Sequence, residues 1–393
     1  MLLCFSLKAE IDKSDNTNTE GTNIMPMQVL DDIKGIIEID KENMLSYCTD
    51  ALKHYEKAVE LTRALSIKSS NPKSIIISGM GGSAIGGELL KDWARNSIAV
   101  PIEICREYSL PQYANSDSLV IAISYSGETE ETLSVFLQAI RRGCKLISIS
   151  SGGTLQKVSE KLGITHLTIP SGMAPRAALP YLFMPLLIIC EKSGLIASPA
   201  SEISDAVKTL ERISRANAPN ISLKSNPSKI LAANVVETIP TIYGFGFYRS
   251  VAQRMKAQFN ENSKSPAKWE TFPELDHNEV VGWDHADSLA KYFSAIFIRD
   301  ESEFDPIRLR IETTKQLMKK RGINMFEVRS SGKTPLAKMV SAICQGDFTS
   351  VYLAVLRGID PTPVETINIL KKELEKSGYR SKITRELGRI AKR

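Results

Sequence analysis

The sequence predicts an α/β protein of two domains, each built on a parallel sheet with helices on both faces. Three observations carry this. Short aliphatic runs such as "SIIISG" and "LVIAIS" show no polar alternation, as strands buried on both faces do, and amphipathic stretches separate them. The order strand, Gly-x-Gly turn, serine, helix occurs twice, in "SIIISGMGGSAIGGELLKDW" from Ser74 and "TIPTIYGFGFYRSVAQRMKAQFN" from Thr238. A length of 393 residues exceeds what one hydrophobic core usually supports.

Taken in order, residues 1–27 read as a disordered tail. "MLLCFSL" is apolar but lacks a basic lead and a small-residue cleavage site, and the polar "KAEIDKSDNTNTEGTN" follows it. Met25 and Met27 mark the expected onset of order, and residues before Met25 read as an overlong start or a disordered tail. Residues 28–70 form a helical segment, with a helix about Asp40 to Ser66, expected to pack on the first domain. Residues 71–215 form that domain. Its strands are "SIIISG", "PIEIC", "LVIAIS", "KLISIS" and "THLTIP"; its helices include "SAIGGELLKDW" and "ETEETLSVFLQAIRRG", the latter stopped by Gly143. "YLFMPLLIIC" is too short to cross a bilayer, is interrupted by Pro185, and reads as a buried helix. The Asn-, Pro- and Ser-rich "RANAPNISLKSNPSK" marks the boundary. In the second domain, 216–385, "LAKYFSAIFI", "DPIRLRIETTKQLMKKRG", "NMFEVRS", "PLAKMVSAICQGD" and "SVYLAVLRG" again alternate strand and helix types.

Composition narrows the class. Hydrophobic residues at 42% with 24% charged are those of a globular protein. The net charge of +5 is scattered, without a basic block or an aromatic-interleaved stripe, which argues against nucleic acid and suits a small anion. No segment reads as a membrane span. Cys4, Cys48, Cys105, Cys144, Cys190 and Cys344 contain no CxxC pair and read as reduced, mostly buried thiols of a cytoplasmic protein.

The turn "SGMGGSAIGG" lets the backbone approach a ligand, with Gly82 and Ser83 at the free N–H groups of a helix start, a place for an anion. Gly79, Gly81 and Ala84 also satisfy the GxGxxA dinucleotide fingerprint, with Glu107 at the spacing of a ribose-binding carboxylate, so a nicotinamide enzyme competes. The second turn, Gly244-Phe245-Gly246, is weaker and compatible with close packing alone. "SYSGETEET" discriminates. Ser124, Ser126 and Thr129 follow a parallel strand, where open α/β sheets bind ligands, and hydroxyls beside exposed helix amides suit a terminal phosphomonoester. Helix capping explains one such hydroxyl, not this density.

"GMGGSAIGG", "SYSGETEET", "PRAAL", "NENSKSP", "ELDHNEVVGW" and "RGIDPTPV", in this order, resemble the bifunctional phosphoglucose/phosphomannose isomerases, a branch of the sugar isomerase (SIS) domain superfamily, from about Asp40 to Lys376. The resemblance implies two SIS domains, each a three-layer αβα sandwich. It also implies a homodimer with active sites at the subunit interface, and interconversion of glucose 6-phosphate or mannose 6-phosphate with fructose 6-phosphate without metal or other cofactor.

Such an isomerase opens the sugar ring, moves a proton between C2 and C1, and holds an enediolate. By resemblance, Glu261 is the base, His277 opens the ring from the neighbouring subunit, and Arg176 stabilises the enediolate. Lys371 matches a lysine near the substrate oxygens, although Lys372 beside it competes, and Thr362 matches a small residue that leaves room for both C2 epimers. Without the resemblance, Glu261 reads as a surface carboxylate and Arg176 as half of a surface ion pair. His54, His166 and His285 have no such context, and no His-x-x-x-His pair or His–Cys spacing suggests a metal. A non-catalytic phosphosugar-binding SIS regulator is the main alternative; the joint presence of Glu261, His277 and Arg176 speaks against it.

Overall fold

A computed structural model describes residues 24–67 and 71–392. After a 3₁₀ turn at Met27–Asp31, three helices follow: α1 (Ile33–Ile39), α2 (Met44–Thr49) and α3 (Ala51–Arg63). The Asp40 carboxylate caps α2 by accepting the Met44 and Leu45 N–H groups at 2.7 and 2.8 Å. The first sheet then alternates strand and helix: β1 (Ser74–Ser78), α4 (Gly82–Trp93), β2 (Ile102–Cys105), β3 (Ser118–Ile123), α5 (Glu130–Arg141), β4 (Lys145–Ser150), α6 (Gly153–Lys161) and β5 (Thr165–Thr168). All five strands run parallel in the order β2-β1-β3-β4-β5. Every residue of β1 and β3 is buried, which is why these segments are unbroken aliphatic runs.

Helices α7 (Leu179–Lys192), α8 (Ala200–Ala216) and α9 (Pro227–Val235) lead into the second sheet. Its elements are β6 (Ile239–Phe245), α10 (Arg249–Glu261), β7 (Lys268–Phe272), α11 (Glu279–Gly282), β8 (Phe293–Arg299), α12 (Asp305–Lys320), β9 (Asn324–Arg329) and α13 (Pro335–Leu356). The four strands are again parallel, ordered β7-β6-β8-β9. Helices α14 (Glu365–Lys376) and α15 (Tyr379–Ile390) end the described chain. The expected pair of parallel α/β sheets is therefore present, with Pro185 inside α7, which is buried from Leu179 to Cys190.

Several expectations need correction. Residues 24–27 of the expected tail are seated: the Met25 N–H donates to the Leu356 carbonyl at 2.7 Å, and Met27 opens a 3₁₀ turn. Residues 1–23 lie outside the described ones. The helical segment does not pack on the first domain alone. The Met27–Asp31 turn and α2 lie against α13, and fully buried Lys229 of α9 pairs with Asp31 at 3.2 Å. "SVYLAVLRG" is no separate strand or helix but the end of the 22-residue α13. That helix is buried on nearly all sides among α8, α9 and α10, so it carries no amphipathic period to separate it from a buried strand. It is long and apolar enough to span a bilayer, yet 89% of its most apolar stretch is buried within the molecule. Finally α15, placed with the second domain by its position in sequence, packs on the first, with Ile383 and Leu387 among Leu133, Phe136, Leu137, Leu155 and Val158.

Candidate active site

The turn after β1 and the loop after β3 meet at the carboxyl edge of the first sheet. Ser83 Oγ accepts the Tyr125 N–H at 3.2 Å, and Ser124 Oγ lies 2.8 Å from Thr129 Oγ1 and accepts the Thr129 N–H at 3.3 Å. Ser126, exposed, accepts the Glu128 N–H at 3.2 Å. Ser83, Ser124 and Ser126 each accept a backbone N–H, and although one hydroxyl of the Ser124–Thr129 pair donates to the other, the remaining hydroxyl protons are left to donate to an anion. No side chain caps α5 at Thr129, so the hydroxyls brace the loop and its helix start rather than serve as ordinary caps. The carboxylates of this loop are engaged elsewhere: Glu128 accepts from the Thr154 N–H at 2.6 Å, and Glu130 from the Tyr108 hydroxyl at 2.5 Å. Gly127, at φ +71°, must be glycine, because a Cβ there would lie 1.9 Å from the Gly152 carbonyl oxygen.

The loop after β5 carries the arginine onto this cradle. A Cβ on Gly82 would lie 2.9 Å from the Pro175 carbonyl oxygen and 3.3 Å from Arg176 Cα, so the turn and this loop touch backbone to backbone. Tyr125 pins the same loop: its hydroxyl donates to the Pro170 carbonyl at 3.1 Å and accepts the Met173 N–H at 2.8 Å. Arg176 is only 3% exposed. Its Nε donates to Asn262 Oδ1 at 2.5 Å, and its Nη2 donates to the Pro361 and Thr362 carbonyls at 2.7 and 2.9 Å. Its Nη1 stands 3.8 Å from the half-buried Glu261 carboxylate at the end of α10. Burial pulls the Arg176 guanidinium below its ordinary range while Glu261 acts in the opposite direction. A guanidinium fixed at this depth presents positive charge without reorganising.

The structure thus brings together Gly82, Ser83, Ser124, Ser126, Thr129, Arg176, Glu261 and Thr362. The Thr362 hydroxyl is buried with no hydrogen-bond partner among the described residues. Among the described residues, His277 and Lys371 make no hydrogen bond or ion pair with any of them. Helix α10 runs back along its sheet and delivers Glu261 to the amino edge. Strand β7 then runs forward, five residues or roughly 16 Å, to the exposed His277 in the turn Glu274–His277 at the carboxyl edge. Lys371 and Lys372 are exposed on α14, none of whose residues is buried.

The other histidines are accounted for. His54 is half-buried, 3.0 Å from the Tyr181 hydroxyl, and His166 of β5 lies 2.8 Å from Ser148 Oγ of β4. His285 is exposed. Residue reasoning missed Asn262, which orients Arg176, and Lys264, whose ammonium donates to the Asn262, Asp360 and Pro361 carbonyls. Both sit within "NENSKSP", the stretch quoted for Glu261, but nothing in their type or spacing announced these contacts. Glu107 is exposed just after β2, beside β1, so the turn alone does not dispose of the dinucleotide alternative.

Sheet order, the hydroxyl cradle and the loop that covers it define a SIS-domain protein. Residues 68–162 match the SIS domain family, and residues 224–374 match the bacterial phospho-glucose isomerase C-terminal SIS domain. The C-terminal domain of glucosamine-fructose-6-phosphate aminotransferase from Francisella tularensis has a similar fold, with a TM-score of 0.64 and 17% identity over 81% of this chain and 98% of that one. A bifunctional phosphoglucose/phosphomannose isomerase from Caldicellulosiruptor bescii is 40% identical over 322 residues, 81% of this chain and 95% of the relative. One from Aquifex aeolicus is 35% identical over 77% of this chain and 91% of its own. The chain belongs to the bifunctional phosphoglucose/phosphomannose isomerase family and is an isomerase.

Proposed function

We propose that this protein interconverts glucose 6-phosphate and mannose 6-phosphate with fructose 6-phosphate through a cis-enediolate, without a metal ion. The observation that carries this reading is the Glu261 carboxylate 3.8 Å from a buried arginine whose loop touches the hydroxyl cradle. In the proposed sequence, Gly82, Ser83, Ser124, Ser126 and Thr129 hold the 6-phosphate. Glu261 takes the C2 proton and returns it to C1, while Arg176 balances the charge developing on the enediolate oxygen. Thr362 lines the epimerising carbon, and Lys371, exposed on α14, is assigned to the substrate oxygens by the family resemblance alone.

His277 opens the ring, supplied by a second copy of the chain. The reason is topological: within one chain it stands a strand's length from Glu261, at the opposite edge of the same sheet. That separation supports a homodimer with shared sites. The exposed Ile367, Ile369, Leu370 and Leu374 of α14, which also bears Lys371, support an apolar contact between copies. Five buried free thiols among the described residues support a cytoplasmic setting.

Fructose 6-phosphate offered to the purified protein in EDTA should yield both glucose 6-phosphate and mannose 6-phosphate. Tight binding without turnover would instead mark a regulator, and no turnover of any hexose phosphate ends the proposal. Mixing Glu261→Gln with His277→Gln protein should restore activity that neither has alone, because mixed dimers contain one intact site. Failure of the mixture to recover any turnover would place both residues in one copy.

A further inference from the structure

We propose that Lys264 is a positioning residue, whose ammonium straps the 358–362 loop to the end of α10 and so holds Arg176, Glu261 and Thr362 in register. The inference rests on the isomerase reading above and extends it to a residue outside the proton-transfer machinery.

Three donors meet three acceptors. Lys264 Nζ donates to the carbonyls of Asn262 at 3.2 Å, Asp360 at 3.0 Å and Pro361 at 2.8 Å. An ammonium has three N–H donors and no acceptor, so every proton is committed and none is left for a substrate. The Pro361 carbonyl is shared: Arg176 Nη2 reaches it at 2.7 Å and continues to the Thr362 carbonyl. The Thr362 N–H in turn donates to Asp360 Oδ1 at 3.0 Å. The loop carrying Thr362 is therefore tied to α10 by Lys264 and to the 169–178 loop by Arg176, through one common oxygen.

The backbone is set for this task. Lys264 stands at φ +50°, a left-handed conformation that side chains other than glycine adopt only when their surroundings over-determine it. Those surroundings are present: Ser263 Oγ donates to the Ser350 carbonyl at 2.8 Å, and the Ser265 N–H to the Phe259 carbonyl at 3.2 Å. The turn aims the lysine stem toward the 358–362 loop, where its ammonium meets the Asp360 and Pro361 carbonyls.

The strap depends on charge. Neutral lysine has two N–H donors and a lone pair, and the lone pair would face a carbonyl oxygen. Burial, followed by the Arg176 guanidinium, lowers the Lys264 ammonium to about 8, while the Asp360 and Glu261 carboxylates oppose the shift. The other charged groups around this cluster are Arg254 of α10, paired with Asp347 of α13 at 2.7 Å, and Glu42, which acts on Arg176. Below about pH 8 the ammonium holds all three carbonyls; above it one contact is lost.

The test compares Lys264→Met and Lys264→Arg with wild type. Lys264→Met should lower kcat by about 30-fold, with KM for fructose 6-phosphate within about threefold, because Lys264 orders the reacting groups rather than the phosphate. Lys264→Arg, which stays charged, should recover most of kcat and move the alkaline limb of the kcat profile upward from near pH 8. Amide hydrogen exchange across residues 358–364 should quicken in Lys264→Met and not in Lys264→Arg, with or without turnover. Equal exchange in all three proteins overturns the strap. So does equal loss of kcat in both variants, or an alkaline limb that does not move. If wild type itself converts no hexose phosphate, the isomerase reading fails, and hydrogen exchange still decides whether the strap exists.

Discussion

The two sheets open with the same turn and use it differently. In the first, β1 and α4 are joined by a glycine turn whose serine faces the loop after β3, and the crevice is walled by small hydroxyls. In the second, β6 and α10 are joined by Gly244-Phe245-Gly246, but the corresponding crevice is filled. The fully buried Tyr248 donates its hydroxyl to Asp300 at 2.9 Å and meets Ser330 Oγ at 2.6 Å, and Lys338 Nζ pairs with Asp300 at 2.9 Å. A tyrosine, a carboxylate and an ammonium that pair with one another occupy the place where the first sheet presents small hydroxyls. The second domain contributes chemistry from the opposite end of its helix, where Glu261 ends α10. Repetition of a scaffold thus fixes where a crevice lies, while the side chains at its mouth decide whether it binds.

That contrast can be broken, most severely at Glu261. Glu261→Gln should lower kcat by about 10³-fold while sugar phosphate still binds, since a positioned general base contributes on that order; kcat within tenfold of wild type would remove the base from the second domain. Next comes the cradle. The double variant Ser83→Ala, Ser124→Ala should raise KM for fructose 6-phosphate by about tenfold or more, as each hydrogen bond to a charged group is worth about 1.5–3 kcal/mol. Steady-state kinetics with unchanged KM would empty the first crevice of its assigned ligand.

Tyr248→Phe probes the filled crevice. It should cost about 1–2 kcal/mol of stability in urea unfolding, because the buried Asp300 carboxylate loses a donor, with kcat and KM unaltered; a raised KM would mean that both crevices bind. The smallest effect concerns acid. Burial raises the Asp300 carboxyl, but Lys338, the Ser302 N–H and Tyr248 outweigh it and hold the group below its ordinary value. A depressed carboxyl stabilises the fold above its unfolded value, about 3.9, and that contribution fades as pH falls through the folded one. The drop in Tm below about pH 4 should therefore be shallower in Lys338→Met than in wild type.

The first sheet was legible because its central strands are buried on both faces: β1 and β3 are unbroken aliphatic runs between turn residues. Strand β7, "KWETF", escaped notice because an edge strand with one exposed and three half-buried residues carries no such run. Helix α13 was split for the opposite reason, since total burial erases the helical period. In the site, the cradle could be read from residue type, hydroxyls at the end of a parallel strand being chemically distinctive. Glu261 and Arg176 could not, because carboxylates and arginines are ordinary on surfaces and only folding reveals that this arginine is buried. They came from motif order instead. Lys264 and Asn262 act through backbone carbonyls and one side-chain amide, contacts for which sequence has no signature.

The last helix has a consequence of its own. Because α15 leaves the second sheet to cover Leu133, Phe136 and Leu137, and the 3₁₀ turn at Met27–Asp31 lies against α13, each end of the described chain is a clasp fastened to the far lobe. Units of heredity and units of folding do not coincide here. A gene fragment cut at the apparent seam near Asn226 would yield two halves, each with a raw greasy face and a strip of its neighbour's covering, and neither would be expected to stay in solution.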